Sequence, residues 1–517
     1  MKPQIMTRRD FLRLSGLSAA TLLAGGGFAS FLSSCAAPGQ AIATTTVMPA
    51  SGSVPNLEIA LRAVPVEMQL ISGEATRVWQ YQGEVISGPT EALTTLPNTY
   101  LGPIIRAQRG QNMRIHFTND LPEESIIHWH GLHVPESADG HPRLAIAPGE
   151  TYTYEFTVAD RAGMYWYHPH PHGRTGPQVY GGLAGLFIVT DEEEQALGLP
   201  SGEYEVPLVI QDRLFDDNNQ LVYGGNGMMD QMMGFLGNRL LINGQTDFGL
   251  SVATRPYRLR LLNGSNSRIY KLGWENGFPL TVIGTDGGLL ETPVQKEYVT
   301  LAPAQRLDLW VDFSDRTVGE QVRLVNLPSA VPDGTAFPVL DIKIERNEHG
   351  TEVLPEKLSS ISRYSEAEAA NRRSPRDFTL SMGMGMRWMI NGRTFEMEGV
   401  ARDEIVKLGD LEAWQFTNQA GGGMGMMGGM SLPHPMHIHG LQFQVVEREV
   451  DTSGRAAWET LSSGFVDEGW HDTVLVMPGE RVKILLKFED FEGLYLYHCH
   501  NLEHEDMGMM RNYRVET

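Results

Sequence analysis

From Val54 to the C-terminus, apolar and polar positions alternate in short runs that are punctuated by Gly, Pro, Asn and Asp. Thr151 to Val158 alternates with a period of two, the signature of a strand with one buried face. Glu205 to Ile210, Tyr257 to Leu262, Arg306 to Phe313 and Arg481 to Phe488 are strand-like as well. Strands at this spacing, with turn residues between them, predict an all-β chain of β-sandwiches. No long amphipathic helix competes, and only Glu366 to Arg373 could form a short one, in a linker.

Two polar stretches interrupt the pattern: Asp191 to Glu203, after the apolar run LAGLFIVT, and Asn347 to Arg376. They divide the chain into a leader over 1–45 and three domains over 54–195, 203–347 and 377–517. A chain of 517 residues also suits three domains of roughly 150 residues better than one. The formal charge of -22 excludes nucleic acid and anionic lipid as partners, and favours attraction of cations.

Thr7-Arg8-Arg9-Asp10-Phe11-Leu12, followed by a Gly/Ala-rich apolar run from Leu14 to Leu32, reads as a twin-arginine export signal. Gly16, Gly25, Gly26 and Gly27 argue against a membrane-spanning helix. The expected location is therefore the periplasm or the outer face of the cell envelope. Leu32-Ser33-Ser34-Cys35 also matches a lipoprotein box, in which Cys35 would carry a lipid anchor; cleavage at Ala41-Ile42-Ala43 is the alternative. Either way Cys35 is lost or lipidated, and Cys499 is unpaired. A lone thiol set among histidines in an oxidising compartment is better explained as a metal ligand than as a buried hydrophobe.

Cys499 lies in YHCHNLEHEDMGMM, Tyr497 to Met510, between His498 and His500, with His504 and Met509 close behind. A thiolate, imidazole and a weak thioether make a trigonal blue-copper site, which moves one electron at a time. On an extended segment Cys499 points to one face while His498 and His500 point to the other. An electron collected on the sulfur side can thus leave through its two chain neighbours. The other histidines are patterned too. Random placement of 16 histidines would give roughly half an HxH pair, yet five occur: His128/His130, His168/His170, His170/His172, His437/His439 and His498/His500. Each presents two imidazoles on one face. Two pairs from each end of the chain supply eight nitrogens, too many for one zinc and suited to a multinuclear site.

HWHGLH (His128 to His133), YHPHPHG (Tyr167 to Gly173), HPMHIHG (His434 to Gly440) and YHCHNLEHEDMGMM together resemble the four copper motifs of the multicopper oxidases, nearest to the bacterial cuprous oxidase and laccase-like branch. The likeness runs from about Asn56 to the end and includes a copper-free middle segment with RPYRLRLLNGSN, Arg255 to Asn266. It implies three cupredoxin-like Greek-key β-sandwich domains and four copper ions. Carried over, it makes His434, Cys499, His504 and axial Met509 the type 1 ligands, with Met510 the competitor for the axial place. His128 and His437 would hold type 2 copper, and His130, His168, His170, His439, His498 and His500 the type 3 pair. His172 has no ligand role in the pattern, and His133, His141 and His471 read as ordinary polar residues.

Reducing dioxygen to water takes four electrons and four protons. The resemblance and their positions make Glu505, directly after His504, and Asp139, in the ADG turn after the first motif, the candidate catalytic acids. Methionines crowd three places: Met228, Met229, Met232 and Met233; Met382, Met384, Met386 and Met389; and Met424, Met426, Met427 and Met430, four residues before His434. Thioethers favour Cu(I), whereas Met also serves as flexible packing. Asp230 and Asp410 are the carboxylates that could accompany such a Cu(I) site. The expectation is an exported monomeric cuprous oxidase acting in copper tolerance with dioxygen as acceptor. The alternative is a laccase-like oxidase of phenols, aromatic amines or other metal ions; a copper carrier or an envelope scaffold is a third class.

Overall fold

A computed structural model describes residues 55–383, 387–419 and 432–517. The twin-arginine segment, Cys35, Met384, Met386, Met424, Met426, Met427 and Met430 lie outside the described residues. The described residues form six β-sheets, and each successive pair of sheets closes into a cupredoxin-like sandwich. The first sandwich uses strands between Leu57 and Thr190, the second between Glu205 and Arg346, the third between Arg376 and Glu516.

Each sandwich repeats one plan that the sequence does not display. An opening hairpin (Leu57–Met68 with Thr76–Ser87, Glu205–Arg213 with Arg239–Ile242, Arg376–Met382 with Trp388–Ile390) places its first strand parallel to a later one. The partners are Asn112–Asn119, Pro256–Asn263 and Leu411–Asn418. In the second sheet of each, an early strand lies parallel to the last, as Ile405–Lys407 does along Met510–Glu516. A parallel pair needs a long crossover, so the Greek-key plan follows. Three apolar clusters fill the spaces between facing sheets, with Trp129, Leu259 and Trp414 among their fully buried members.

The strand-like runs are found within a residue or two, except that Glu205–Arg213 continues three residues further. Glu366 to Arg373 does not make a helix. It holds a single 3-10 turn, Glu366–Glu368. Its backbone is used elsewhere: Ala370 N–H donates to Leu411 O at 2.8 Å, and the Asn371 side chain bonds both polar groups of Ala413. The segment therefore docks along the strand Leu411–Asn418, which offers partners that an isolated helical turn lacks. The polar stretch after Thr190 likewise turns inward, where buried Glu194 pairs with Arg258 and Arg260 of the middle sandwich.

Candidate metal centre

Strand register, more than any single residue, assembles the histidines. In the first sandwich Ile127–His130 runs antiparallel to Gly163–Pro169 with His128 directly opposite His168. In the third, His434–Ile438 runs antiparallel to Gly493–Cys499 with His437 opposite His498. Directly opposed residues lie within about 5.5 Å of each other, so each HxH pair meets a second one across the ladder. The two sandwiches then face one another. His128 Nε2 is 3.3 Å from His437 Nε2, and His170 Nε2 is 3.4 Å from His498 Nε2. His439 Nε2 lies 3.0 Å from His498 Nε2. The rings of His130 and His500 are 5.0 Å apart, and those of His168 and His500 5.2 Å. All eight are buried.

The second group sits one residue away. His434 Nδ1 and His504 Nδ1 lie 3.4 and 3.6 Å from Cys499 Sγ and 3.2 Å from each other. The Cys499 N–H donates to Met509 O, and Met509 N–H to His504 O, which folds Met509 back over the sulfur's own strand. Met509 is fully buried; Met510 starts the next strand, paired with His498 on the cluster side. The Asn501 N–H points at Cys499 Sγ, 3.4 Å away. His434, Cys499 and His504 form one potential metal group, and His170, His439 and His498 another.

Donor chemistry and protonation fit copper. Burial lowers His434 and His170 to about 3 and His168 to about 4, so these imidazoles are neutral ligands at neutral pH. Burial pushes the Cys499 thiol up, so a bound cation is what would hold it as thiolate. His128 Nδ1 and His437 Nδ1 donate to the carbonyls of Asp139 (2.6 Å) and Asp472 (2.8 Å), which turns both Nε2 atoms to each other. His130 Nδ1, His168 Nε2, His170 Nδ1 and both ring nitrogens of His500 are buried without a protein partner. Buried polar atoms do not stay orphaned without reason, and metal ions placed among these rings would satisfy them.

Both candidate acids are buried beside ligands. Asp139 Oδ2 accepts from His439 Nδ1 at 2.9 Å, and burial raises its carboxyl well above the usual range. Glu505 lies between two histidines, with Oε1 3.5 Å from His170 Nε2 and Oε2 3.1 Å from His498 Nδ1. Its helix, Leu502–Asp506, also carries His504. The remaining histidines stand apart. His172 is exposed against Phe395, His133 pairs with Asp160, His141 donates to Asn512 Oδ1, and His471 lies 3.5 Å from Asp286.

One correction concerns the methionine region. Asp410 is remote: it precedes the strand Leu411–Asn418, and the far end, Asn418, is what holds Leu432 beside His434. Eight residues at about 3.4 Å each separate them. Asp230, which accepts from Asn226, lies on the helix Met228–Met233, and this helix reaches the site, since His504 Nε2 donates to Met232 O at 3.1 Å.

Several neighbours carry no pattern that would reveal them in sequence. Asp472 and Thr473 meet His130 Nε2 at 3.0 and 3.3 Å. Arg306 grips Asp472 from the middle sandwich. Glu503 is held by Tyr223, Phe235 N–H, Asn266 and Ser267. Trp388 covers His504 at 4.4 Å, and Trp166 covers His168 at 4.3 Å, between ring centres. Isolated residues from distant strands have no period to find.

Family models described as multicopper oxidase match residues 78–194 and 369–517. The chain is 32% identical over 415 residues to the multicopper oxidase mco of Staphylococcus haemolyticus, covering 80% of this chain and 82% of that one. It is 30% identical over 489 residues to a laccase of Bacillus stratosphericus, covering 84% and 90%. The crystal structure of the McoA multicopper oxidase from the hyperthermophile Aquifex aeolicus superposes with a TM-score of 0.76 at 35% identity, over 90% of this chain and 97% of that one. The chain belongs to the multicopper oxidases: it is a copper-dependent oxidoreductase that uses dioxygen.

Proposed function

We propose that this enzyme is an exported cuprous oxidase of the cell envelope, oxidising Cu(I) to Cu(II) and serving copper tolerance, with one type 1, one type 2 and a type 3 pair of coppers. The observation that carries the substrate is the methionine helix on the type 1 side. Its carbonyl at Met232 receives the His504 Nε2–H, while Met228 and Met229 are 55% and 49% exposed. Large apolar side chains left in water on a short helix are poor packing. As soft thioethers beside a carboxylate, Asp230, they suit a Cu(I) ion. His504 is itself fully buried, with the Trp388 ring 4.4 Å from it and the Met232 carbonyl on its Nε2.

When bound, the coppers supply one-electron oxidation of the substrate at the sulfur site and four-electron reduction of dioxygen at the histidine cluster. The chain does the rest. Cys499 is joined through one peptide bond to His498 and through another to His500, so a covalent path of under about 4 Å per residue links the two groups. Asp139 holds His439 in the tautomer that leaves Nε2 free. Glu505, between His170 and His498, is the group placed to carry protons inward.

Oxygen consumption on Cu(I) and on a phenol, measured side by side, tests the substrate. Met228→Ser with Met229→Ser should raise the KM for Cu(I) several-fold and leave phenol oxidation unchanged. Equal effects on both substrates would remove the case for a dedicated Cu(I) entry. The second reading, a laccase-like oxidase of phenols, aromatic amines or other metal ions, draws on the likeness to the Bacillus stratosphericus laccase. It would be favoured by oxidation of a phenol outpacing that of Cu(I).

A further inference from the structure

We propose that Arg306, in the middle sandwich, is a positioning residue of the histidine cluster: through Asp472 it decides which nitrogen of His130 faces the metal. The inference rests on the trinuclear reading above and concerns how that centre is held.

His130 has two ring nitrogens in different company. Nε2 lies 3.0 Å from Asp472 Oδ1 and 3.3 Å from Thr473 Oγ1, whereas Nδ1 is buried with no protein partner. The ring can bind metal through Nδ1 only if Nε2 carries the hydrogen. That requires Asp472 to be an acceptor and nothing else.

Arg306 enforces this. Its Nη1 donates to Asp472 Oδ1 at 2.8 Å and its Nη2 to Asp472 Oδ2, a two-pronged grip on one carboxylate. The other donors are all used: Nε on Met164 O at 3.0 Å, Nη1 on Ala304 O at 3.1 Å and Nη2 on Asp286 O at 3.0 Å. All five guanidinium hydrogens therefore have acceptors, and the fork cannot swing. Asp286 Oδ1 fixes the residue from the other end by accepting the Arg306 N–H at 2.7 Å. The pair is buried: Arg306 is 1% exposed and Asp472 0%.

The sequence around His130 leaves room for this contact. Gly131, at φ +90°, follows the ligand, and a Cβ there would lie 2.4 Å from Asp472 Oδ2 and 2.8 Å from Arg306 Nη2. A side chain at 131 would thus displace the grip as well as strain the backbone. Three sandwiches meet at this point, with His130 from the first, Arg306 from the second and Asp472 from the third. A lysine could match the charge of Arg306 but not its planar fork.

Arg306→Gln, Arg306→Lys and Asp472→Asn, each loaded with copper, test the proposal. The readouts are copper per chain, the visible thiolate band, the type 2 signal in electron paramagnetic resonance, the melting temperature and the reoxidation rate by dioxygen. All three should keep the thiolate band, while each leaves a buried partner unpaired and so lowers the melting temperature by a few degrees. They should lose copper from the histidine cluster or show a changed type 2 signal, with reoxidation slowed about tenfold or more, as for other groups that orient metal-bound histidine. Lysine should not rescue. Full copper and reoxidation within about twofold of wild type would overturn the proposal, as would a parallel loss of thiolate band and melting temperature, which marks a merely structural role. If the arginine variants do not fold, Asp472→Asn, matched in size, decides alone. A wild-type enzyme that takes up only the type 1 copper would overturn the trinuclear reading itself, and this inference with it.

Discussion

Cys499 shows how much one side chain is asked to do. Burial makes it a poor thiolate by itself, so its ionisation, the Asn501 N–H on its sulfur and its two histidine neighbours only make sense with a metal present. Cys499→Ser should therefore abolish the visible thiolate band and substrate oxidation while the histidine cluster still takes up copper; a retained band would mean another sulfur binds. Glu505→Gln is the complementary change. It keeps the size of the side chain between His170 and His498 but removes the carboxylate, so on the proposed proton role dioxygen reduction should fall about 100-fold with the thiolate band intact, measured by stopped-flow reoxidation. Unchanged turnover would sink the proton role. At this scale the sequence was a good guide wherever chemistry repeats, because HxH and HCH stand out against chance. Asp472, Arg306 and Glu503 appear once each and far apart in the chain, and only folding gives them a meaning.

Strands carry the legible part of the fold and short irregular segments the rest. Period-two alternation located Thr151–Thr157, which buries one face, and short apolar runs located strands such as Pro256–Asn263, which is buried on both faces. The threefold repeat of hairpin and parallel crossover left no trace, since it resides in backbone pairing and any apolar side chain can satisfy it. Glu366 to Arg373 misled for a related reason: its helical composition was overruled by hydrogen bonds available at the start of the strand Leu411–Asn418. Met228–Met233 is fixed against His504; the GGGMGMMGGM stretch, outside the described residues, is the further Cu(I) contact expected of a cuprous oxidase. Removing Gly421 to Met430 should lower Cu(I) oxidation and leave phenol oxidation equal or faster, by oxygen uptake on each. A uniform loss would assign the stretch to stability.

The whole molecule is an arrangement in which two outer sandwiches contribute ligands and the middle one holds them. Arg306 grips Asp472, the Met232 carbonyl receives His504, and Asn266 and Ser267 hold Glu503. The sequence marked this sandwich as copper-free, and its buried polar contacts were invisible there because they reach another domain. Joining domains through neutral buried imidazoles makes stability depend on pH and on copper. His168, His170 and His434 titrate near 4, 3 and 3 when folded and near about 6.5 when unfolded. Their folded values are depressed, so between these limits the unfolded chain binds more protons, and stability rises with pH. Copper-stripped protein should accordingly lose about 2 kcal/mol per such histidine between pH 7 and 5, or roughly 5 °C in melting temperature for the three together in a chain of this size. The decline should flatten below pH 4, where the folded state begins to take up the same protons. Copper-loaded protein should melt higher at every pH, because ions bound only by the folded state add their binding free energy. Calorimetry across pH 4 to 7, with and without copper, reads both effects. A melting temperature independent of pH in the stripped protein would show that burial does not hold these rings neutral, neither His168 and His170 between the outer sandwiches nor His434 within the third.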